Sequence, residues 1–92
     1  MTKVTVRELI FDVLNIEHIK KHKVTPEEAI KAGTKAIYHE QGKKGRYLVI
    51  GRVGNRLITL IIKRKGTARY YLVTARDSAK KERKKVYEKE RK

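Results

Sequence analysis

The sequence predicts an α+β domain in which two N-terminal helices pack on one face of a mainly antiparallel sheet of four to five strands, followed by a basic C-terminal helix. Three observations favour this architecture: two capped helix starts in the first third of the chain, a central series of strand-like runs with short turns, and a polar helical pattern after Asp77. The chain has 92 residues and shows no repeat or linker, so residues 1–92 are expected to form a single domain.

The N-terminal third is expected to contain a short strand and two helices. The run Val4–Phe11 is β-branched and partly alternating, which is typical of a strand. Asp12 is a suitable N-cap for a helix over about residues 13–22. Thr25–Glu28 predicts a second helix with Thr25 as N-cap and Pro26 in the first turn, and Gly33 predicts its end. The side chains expected to share one face of the first helix are Val13, Ile16 and Ile19.

Strand-like periodicity begins at Thr34, where residues 34–39 form a weak strand. The segment Gln41–Gly45 reads as a flexible basic loop. Gly54-Asn55 is a strong signal for a two-residue hairpin, and Lys65-Gly66 is a weaker one. These turns separate three runs rich in Val, Ile, Leu and Tyr, which are Arg46–Val53, Arg56–Arg64 and Ala68–Arg76.

The two hairpins assign the side chains to faces of the sheet, provided that both loops contain an even number of residues. With these loops Val53 opposes Arg56, and Ile61 opposes Tyr70. One face is then almost wholly apolar and is expected to pack on the N-terminal helices; it carries Tyr47, Val49, Val53, Ile58, Leu60, Ile62, Tyr71, Val73 and Ala75. The C-terminal helix is expected to cover part of the other face, here called the mixed face. The mixed face carries Leu48, Ile50, Arg52, Leu57, Thr59, Ile61, Lys63, Tyr70, Leu72, Thr74 and Arg76.

The charge balance indicates an anionic partner. Lys and Arg total 25 against 10 acidic residues, a formal net charge of +15, and such a chain repels itself unless RNA, DNA, an acidic protein or an anionic membrane neutralises it. No apolar run approaches the roughly 20 residues of a membrane span, and the N-terminus does not lead into a signal sequence. The absence of Cys excludes disulfides and thiolate metal sites, so a cytoplasmic protein is expected.

The mixed face and the strand–helix junction at residues 74–88 form the strongest candidate site. Metal-free RNA cleavage needs a base, an acid and cations that stabilise the charged phosphate. Arg suits the phosphate role because its planar fork binds two oxygens. The alternative is that these side chains are solvated or paired, with Glu82 simply neutralising Arg76 or Arg83. The residues expected to converge there are Arg52, Lys63 and Arg76, with Tyr70, Glu82, Arg83 and Tyr87 at the margin.

Other chemically active side chains give weaker signals. His18 and His22 stand four residues apart, but two imidazoles make an incomplete metal site, so no metal is expected. Tyr70 and Tyr87 are the tyrosines best placed to stack on a base. The loop lysines Lys43 and Lys44, together with the charge run Lys80–Lys92, offer electrostatic binding of RNA.

Three segments resemble BrnT-type toxins, in the order in which they occur in that family. Phe11-Asp12 and the run His18–Ala29 resemble the N-terminal motif, where an aromatic–Asp pair precedes a helix ending in Lys-His-Gly-Val and an acidic helix start. Arg46–Arg52 resembles the central strand, which ends in Gly-Arg. Thr74-Ala75-Arg76, followed by Glu82-Arg83 and Tyr87-Glu88, resembles the C-terminal motif. The departures are Lys23 for Gly, His18 for Asn, Thr74 for Ser, and a short loop at residues 41–45.

The resemblance implies a RelE-like ribonuclease fold and the role of toxin in a type II toxin–antitoxin pair. Such toxins cut RNA without a metal cofactor, and a ribbon-helix-helix antitoxin binds and inactivates them in a hetero-oligomer. The positions that match the family motifs are His22, Arg52, Arg76, Glu82, Arg83 and Tyr87, whereas Lys63 enters only through the face assignment. Two alternatives stay open: a non-catalytic basic protein that binds RNA or the ribosome, and an inactive homologue that only binds an antitoxin.

Overall fold

The computed structural model describes residues 5–91, so the expected start of the first strand at Val4 lies outside the described residues. Three helices and five strands occur in the predicted order. Their bounds are β1 Glu8–Ile10, α1 Val13–Lys21, α2 Pro26–Thr34, β2 Ala36–Gln41, β3 Arg46–Val53, β4 Arg56–Gly66, β5 Arg69–Asp77 and α3 Lys80–Glu90.

The five strands form one mixed sheet in the order β1-β5-β4-β3-β2. The β5–β4, β4–β3 and β3–β2 pairs are antiparallel, and the short edge strand β1 runs parallel to β5. The hairpin at Gly54-Asn55 has the expected register, with Val53 opposite Arg56, and Gly54 has the positive φ that such a turn requires. The predicted α+β class is therefore confirmed.

Helix α1 begins at the predicted N-cap but presents a different face to the core. Asp12 and Asn15 form a reciprocal capping box, and the Asn15 amide also donates to the backbone carbonyls of Ile10 and Leu72. Asn15 and Ile19 are the buried side chains of this helix, whereas Val13 is 76% exposed. The predicted apolar face was right for Ile19 and wrong for Val13 and Ile16, because the hydrogen bonds of Asn15 turn its side chain to the core and leave those two outside.

Helix α2 packs directly on the central strands. Thr25 and Glu28 form the capping box at its start, as the sequence predicted. Its end was misplaced, because Gly33 lies buried inside the helix and Lys35 caps it. A Cβ atom on Gly51 of β3 would lie 2.1 Å from the Ala32 carbonyl oxygen, so glycine at this position permits the close approach of helix and sheet.

The second hairpin departs from the predicted register, and this moves Tyr70. Strand β4 extends to Gly66, and the pairing with β5 shifts between Ile61 and Ile62. The shift is a bulge that reverses which residues of β5 point to which face. Tyr70 and Leu72 therefore belong to the core between the sheet and α1–α2, not to the mixed face. Tyr71 is on the mixed side, and its hydroxyl donates to Asp12.

Helix α3 covers part of the mixed face, as predicted. Its Val86 is fully buried against Ile50 and Leu57, with Leu48, Ile37 and Tyr38 around this second, smaller core. Lys85 holds the helix to β2 through an ion pair with Glu40 at 2.8 Å, and Tyr38 donates to the same carboxylate. The N-terminal helices and α3 therefore lie on opposite sides of the sheet. No helix within residues 5–91 is long and apolar enough to cross a membrane.

Candidate active site

The junction between β5 and α3 is organised by an arginine–carboxylate pair. Arg76 Nη1 and Nη2 donate to the two oxygens of Glu82 at 2.7 and 2.9 Å. Arg76 pairs with Thr59 across β4 and β5, on the mixed face, where the sequence placed it. The two-point contact fixes the plane of the guanidinium, which a single hydrogen bond would leave free to rotate.

Glu82 is held by two further hydrogen bonds. Its Oε1 also accepts hydrogen bonds from Thr59 Oγ1 at 3.0 Å and from the Ala79 N–H at 2.7 Å, which caps α3. Ser78 Oγ lies 2.7 Å from the Thr59 hydroxyl, and both residues are buried. The predicted N-cap at Asp77 or Ser78 was wrong by one or two residues, because Glu82 reaches back to the N–H of Ala79.

These contacts keep Glu82 ionised. Burial would raise the pKa of its carboxyl, but the hydrogen bonds from Arg76, Ala79 and Thr59 together outweigh burial and hold the pKa below its usual value. A carboxylate with a lowered pKa, whose Oε1 already accepts three hydrogen bonds, is poorly suited to donate or accept a proton in catalysis. The geometry favours a positioning role for Glu82.

Arg76 keeps donors available for a ligand. A guanidinium has five N–H groups. Glu82 accepts from two of them, and a long contact of 3.4 Å from Nη1 reaches the Asp77 carbonyl. Among the described residues no acceptor meets the other two, and the Arg76 side chain is 34% exposed. The arrangement can therefore offer two N–H groups to an anionic oxygen while its orientation stays fixed.

Arg52 occupies the other margin of α3. It makes a two-point ion pair with Glu90, with the shorter contact at 2.6 Å, and both side chains remain more than a third exposed. Tyr87, one turn before Glu90, is 50% exposed. Arg52, Arg76, Glu82 and Tyr87 thus all lie on or against α3, with Arg76 paired near the start of the helix and Arg52 paired near its end.

Four of the other predicted residues lie elsewhere or have another partner. Lys63 is four residues along β4 from Thr59, about 13 Å at the usual rise of a strand, so it does not reach the Arg76–Glu82 pair. His22 caps α1 on the opposite side of the sheet, where its ring meets His18 edge-on. Tyr70 is 6% exposed and packs against Tyr47, so it is not available to stack on a base. Arg83 donates to the Ser78 carbonyl at 2.7 Å and braces the start of α3.

The far end of the mixed face contains a groove at the β2–β3 turn. It has a volume of about 360 Å³ and opens to solvent. The predicted RNA-binding lysines Lys43 and Lys44 line it, together with Arg46, and the apolar side chains of Leu48 and Ile61 also line it. Lys63 lies beside this groove, because it is the cross-strand partner of Arg46.

Sequence reasoning missed three contributors to the face: Arg46, Ser78 and Glu90. The register of the first hairpin already placed Arg46 opposite Lys63, so this pair could have been found from sequence. The Arg52–Glu90 contact joins residues 38 positions apart and depends on how α3 docks, which no local pattern indicates. Within residues 5–91 no three His, Asp or Glu side chains are grouped closely enough to hold a metal ion.

Comparison with known proteins gives a structural likeness without a sequence match. No protein-family model matches the chain, and no curated protein sequence is similar to it. Among solved structures, the crystal structure of the ribonuclease toxin BrnT from Brucella abortus superposes with a TM-score of 0.63 at 20% identity. The match covers 79% of this chain and 97% of that one.

The chain has a BrnT-like fold. This agrees with the resemblance to BrnT-type toxins noted in the sequence. At 20% identity the likeness concerns the fold alone, and function has to be argued from the site.

Proposed function

We propose that this protein is a metal-independent endoribonuclease and the toxin of a type II toxin–antitoxin pair. The observation that carries the proposal is Arg76, which Glu82 holds in one orientation at the junction of β5 and α3 with two N–H groups still available. The fold of the ribonuclease toxin BrnT supports the same reading.

The proposed reaction is attack of an RNA 2′-oxygen on the adjacent phosphorus, which forms a 2′,3′-cyclic phosphate while the bond from phosphorus to the 5′-oxygen of the next nucleotide breaks. The 2′-OH gives up its proton, and the leaving 5′-oxygen takes one up. The attack places extra negative charge on the phosphate oxygens, and a fixed guanidinium stabilises that charge without having to reorganise during the reaction. Arg76 takes this role, and Glu82 positions it. Tyr87, exposed on the same helix, is the proposed proton-transfer group, and Arg52 is the proposed second cation beside it.

The partner proposed for this toxin is an antitoxin of the ribbon-helix-helix type, which would bind it in a hetero-oligomer in the cytoplasm. The net charge of +15 supports association with both RNA and an acidic protein. Expression of the chain alone should arrest growth, and co-expression of the antitoxin should restore it. Harmless overexpression of the intact chain would count against the toxin.

Cleavage of RNA in the presence of EDTA tests the enzymatic part of the proposal. Arg76→Ala should reduce the rate on the order of 100- to 1,000-fold, as expected for the loss of one preorganised donor group. The matched control is Arg69→Ala, which removes an exposed arginine at the other end of β5 that pairs with Glu8. RNA that stays intact with purified wild-type protein would instead favour a non-catalytic RNA-binding protein or an inactive homologue.

A further inference from the structure

Among the described residues, the cations at the hairpin end of the mixed face have no carboxylate partner. Arg46 and Lys63 lie directly opposite each other on β3 and β4, and Lys43 and Lys44 lie in the adjoining turn. Within the part of the chain that the structure describes, no Asp or Glu oxygen forms an ion pair with any of these four side chains.

Such an arrangement is unfavourable in the protein alone. Like charges directly opposite each other on neighbouring strands destabilise a sheet. Elsewhere on the same face the chain supplies carboxylates, since Arg52 pairs with Glu90 and Arg76 pairs with Glu82. The unpaired cluster therefore offers a place where an anion would be bound favourably, because it would relieve the repulsion between Arg46 and Lys63.

The adjoining groove adds a surface for an apolar ring. Leu48 and Ile61 line it together with the cations, and its volume of about 360 Å³ opens to solvent. The one carboxylate in its wall, Glu40, is already bound to Lys85 and Tyr38, which hold its pKa below the usual value. Cations at the rim and aliphatic side chains beside them suit a nucleotide, whose phosphate is anionic and whose base has two apolar faces.

We propose that this groove is a second binding subsite for single-stranded RNA. Arg46 and Lys63, with Lys43 and Lys44, hold phosphates, and a base lies against Leu48 and Ile61. The subsite is about 13 Å along β4 from the Arg76 pair, which corresponds to roughly four nucleotides of a stacked strand. It thus binds RNA flanking the cleaved phosphate. The inference rests on the proposed function for the identity of the substrate, but not on catalysis.

A binding experiment with uncleavable RNA tests the subsite. The probe is a fluorescent 12-nucleotide 2′-O-methyl RNA, which lacks the attacking hydroxyl, titrated at several salt concentrations. The variant Arg46→Gln/Lys63→Gln removes two charges at the groove. Its matched control, Arg64→Gln/Lys65→Gln, removes two exposed charges next to Lys63 on the same strand, outside the groove lining.

The groove variant should bind the RNA about tenfold more weakly at 0.1 M salt, and its slope of log affinity against log salt should be smaller by about 1.4, at roughly 0.7 per phosphate contact. The control should match the wild type. Equal losses in both variants would overturn the subsite and leave only diffuse electrostatics.

The same titrations separate this proposal from the proposed function. Groove-dependent binding with no cleavage of unmodified RNA would uphold the subsite and overturn the enzyme. If the groove variant cleaves RNA and binds it with unchanged affinity, the enzyme is upheld and the subsite is overturned. A third outcome is that the wild type binds a poly-glutamate peptide through Arg46 and Lys63 and does not bind the RNA. That result would show that the groove recognises an acidic protein, and the RNA subsite would be wrong.

Discussion

The two ends of the mixed face carry similar positive charge but differ in what surrounds it. At the α3 end, Arg52 and Arg76 each meet a glutamate of the helix in a two-point contact. At the hairpin end, Arg46 faces Lys63, and no carboxylate pairs with either within residues 5–91. Paired arginines have a fixed orientation, which suits chemistry on one phosphate. Unpaired cations are free to follow a flexible backbone, which suits binding.

The largest effect on stability is expected from Glu82→Ala. The change removes the carboxylate partner of Arg76 and the acceptor of the Ala79 N–H, and it leaves the Thr59 hydroxyl with its contact to Ser78. The free energy of unfolding should therefore fall by about 2–4 kcal/mol. Cleavage should fall on the order of 10- to 100-fold, because Arg76 is no longer oriented. Urea denaturation and EDTA-treated cleavage assays measure both. The control is Glu88→Ala, which lies on the exposed side of α3 and should change stability little. An equal loss of stability and activity in both variants would contradict the special role of Glu82.

The stability of the α3 end should depend on pH through Glu82. The folded protein lowers the pKa of Glu82 below the unfolded value of about 4.5. Its stabilising contribution is therefore fully present above that pH and is lost as the pH falls through the lower, folded pKa. The difference in unfolding free energy between wild type and Glu82→Gln should be largest near pH 7 and should shrink below pH 4. A difference independent of pH would show that the Glu82 charge is not what holds the site.

At the hairpin end, removing a charge should raise the free energy of unfolding instead of lowering it. Lys63→Gln relieves the repulsion with Arg46, so the free energy of unfolding should rise by roughly 0.2–1 kcal/mol at low salt and less at high salt. Lys65→Gln, two residues away and outside this cross-strand pair, should change it less. Denaturation curves at two salt concentrations measure the effect. A loss of stability on Lys63→Gln would mean that Lys63 stabilises the folded protein, which contradicts the proposed repulsion between Lys63 and Arg46.

The smallest effect is expected from Glu90→Gln. Its ion pair with Arg52 is exposed, and such pairs contribute about 0–1 kcal/mol. Removing the charge frees Arg52, so affinity for the 2′-O-methyl RNA should rise severalfold while the melting temperature changes by only a few degrees. Glu88→Gln removes the same charge from the helix without freeing Arg52. A gain for Glu88→Gln as large as that for Glu90→Gln would indicate that total charge, not the release of Arg52, controls RNA binding.

Much of the fold could be predicted because its signals are local. Asp12 and Thr25 start their helices through contacts three residues away, and Gly54-Asn55 fixes a hairpin by the backbone shape it permits. The same reasoning placed Arg76 on the mixed face beside Glu82. It failed for Tyr70, because a bulge in β5 moves Tyr70 and Leu72 to the other face of the sheet. No residue type near Val73 indicates that bulge.

The sequence by itself determined the order of the elements, the strong positive charge and the proximity of Arg76 to Glu82, since each depends on composition or on neighbours a few residues apart. Only the tertiary structure decided the rest. The bulge set which face of β5 reaches the core, the hydrogen bonds of Asn15 set the rotation of α1, and the docking of α3 brought Glu90 to Arg52. These features depend on contacts between distant segments, whose energies are settled by packing the whole sheet between its two layers of helices.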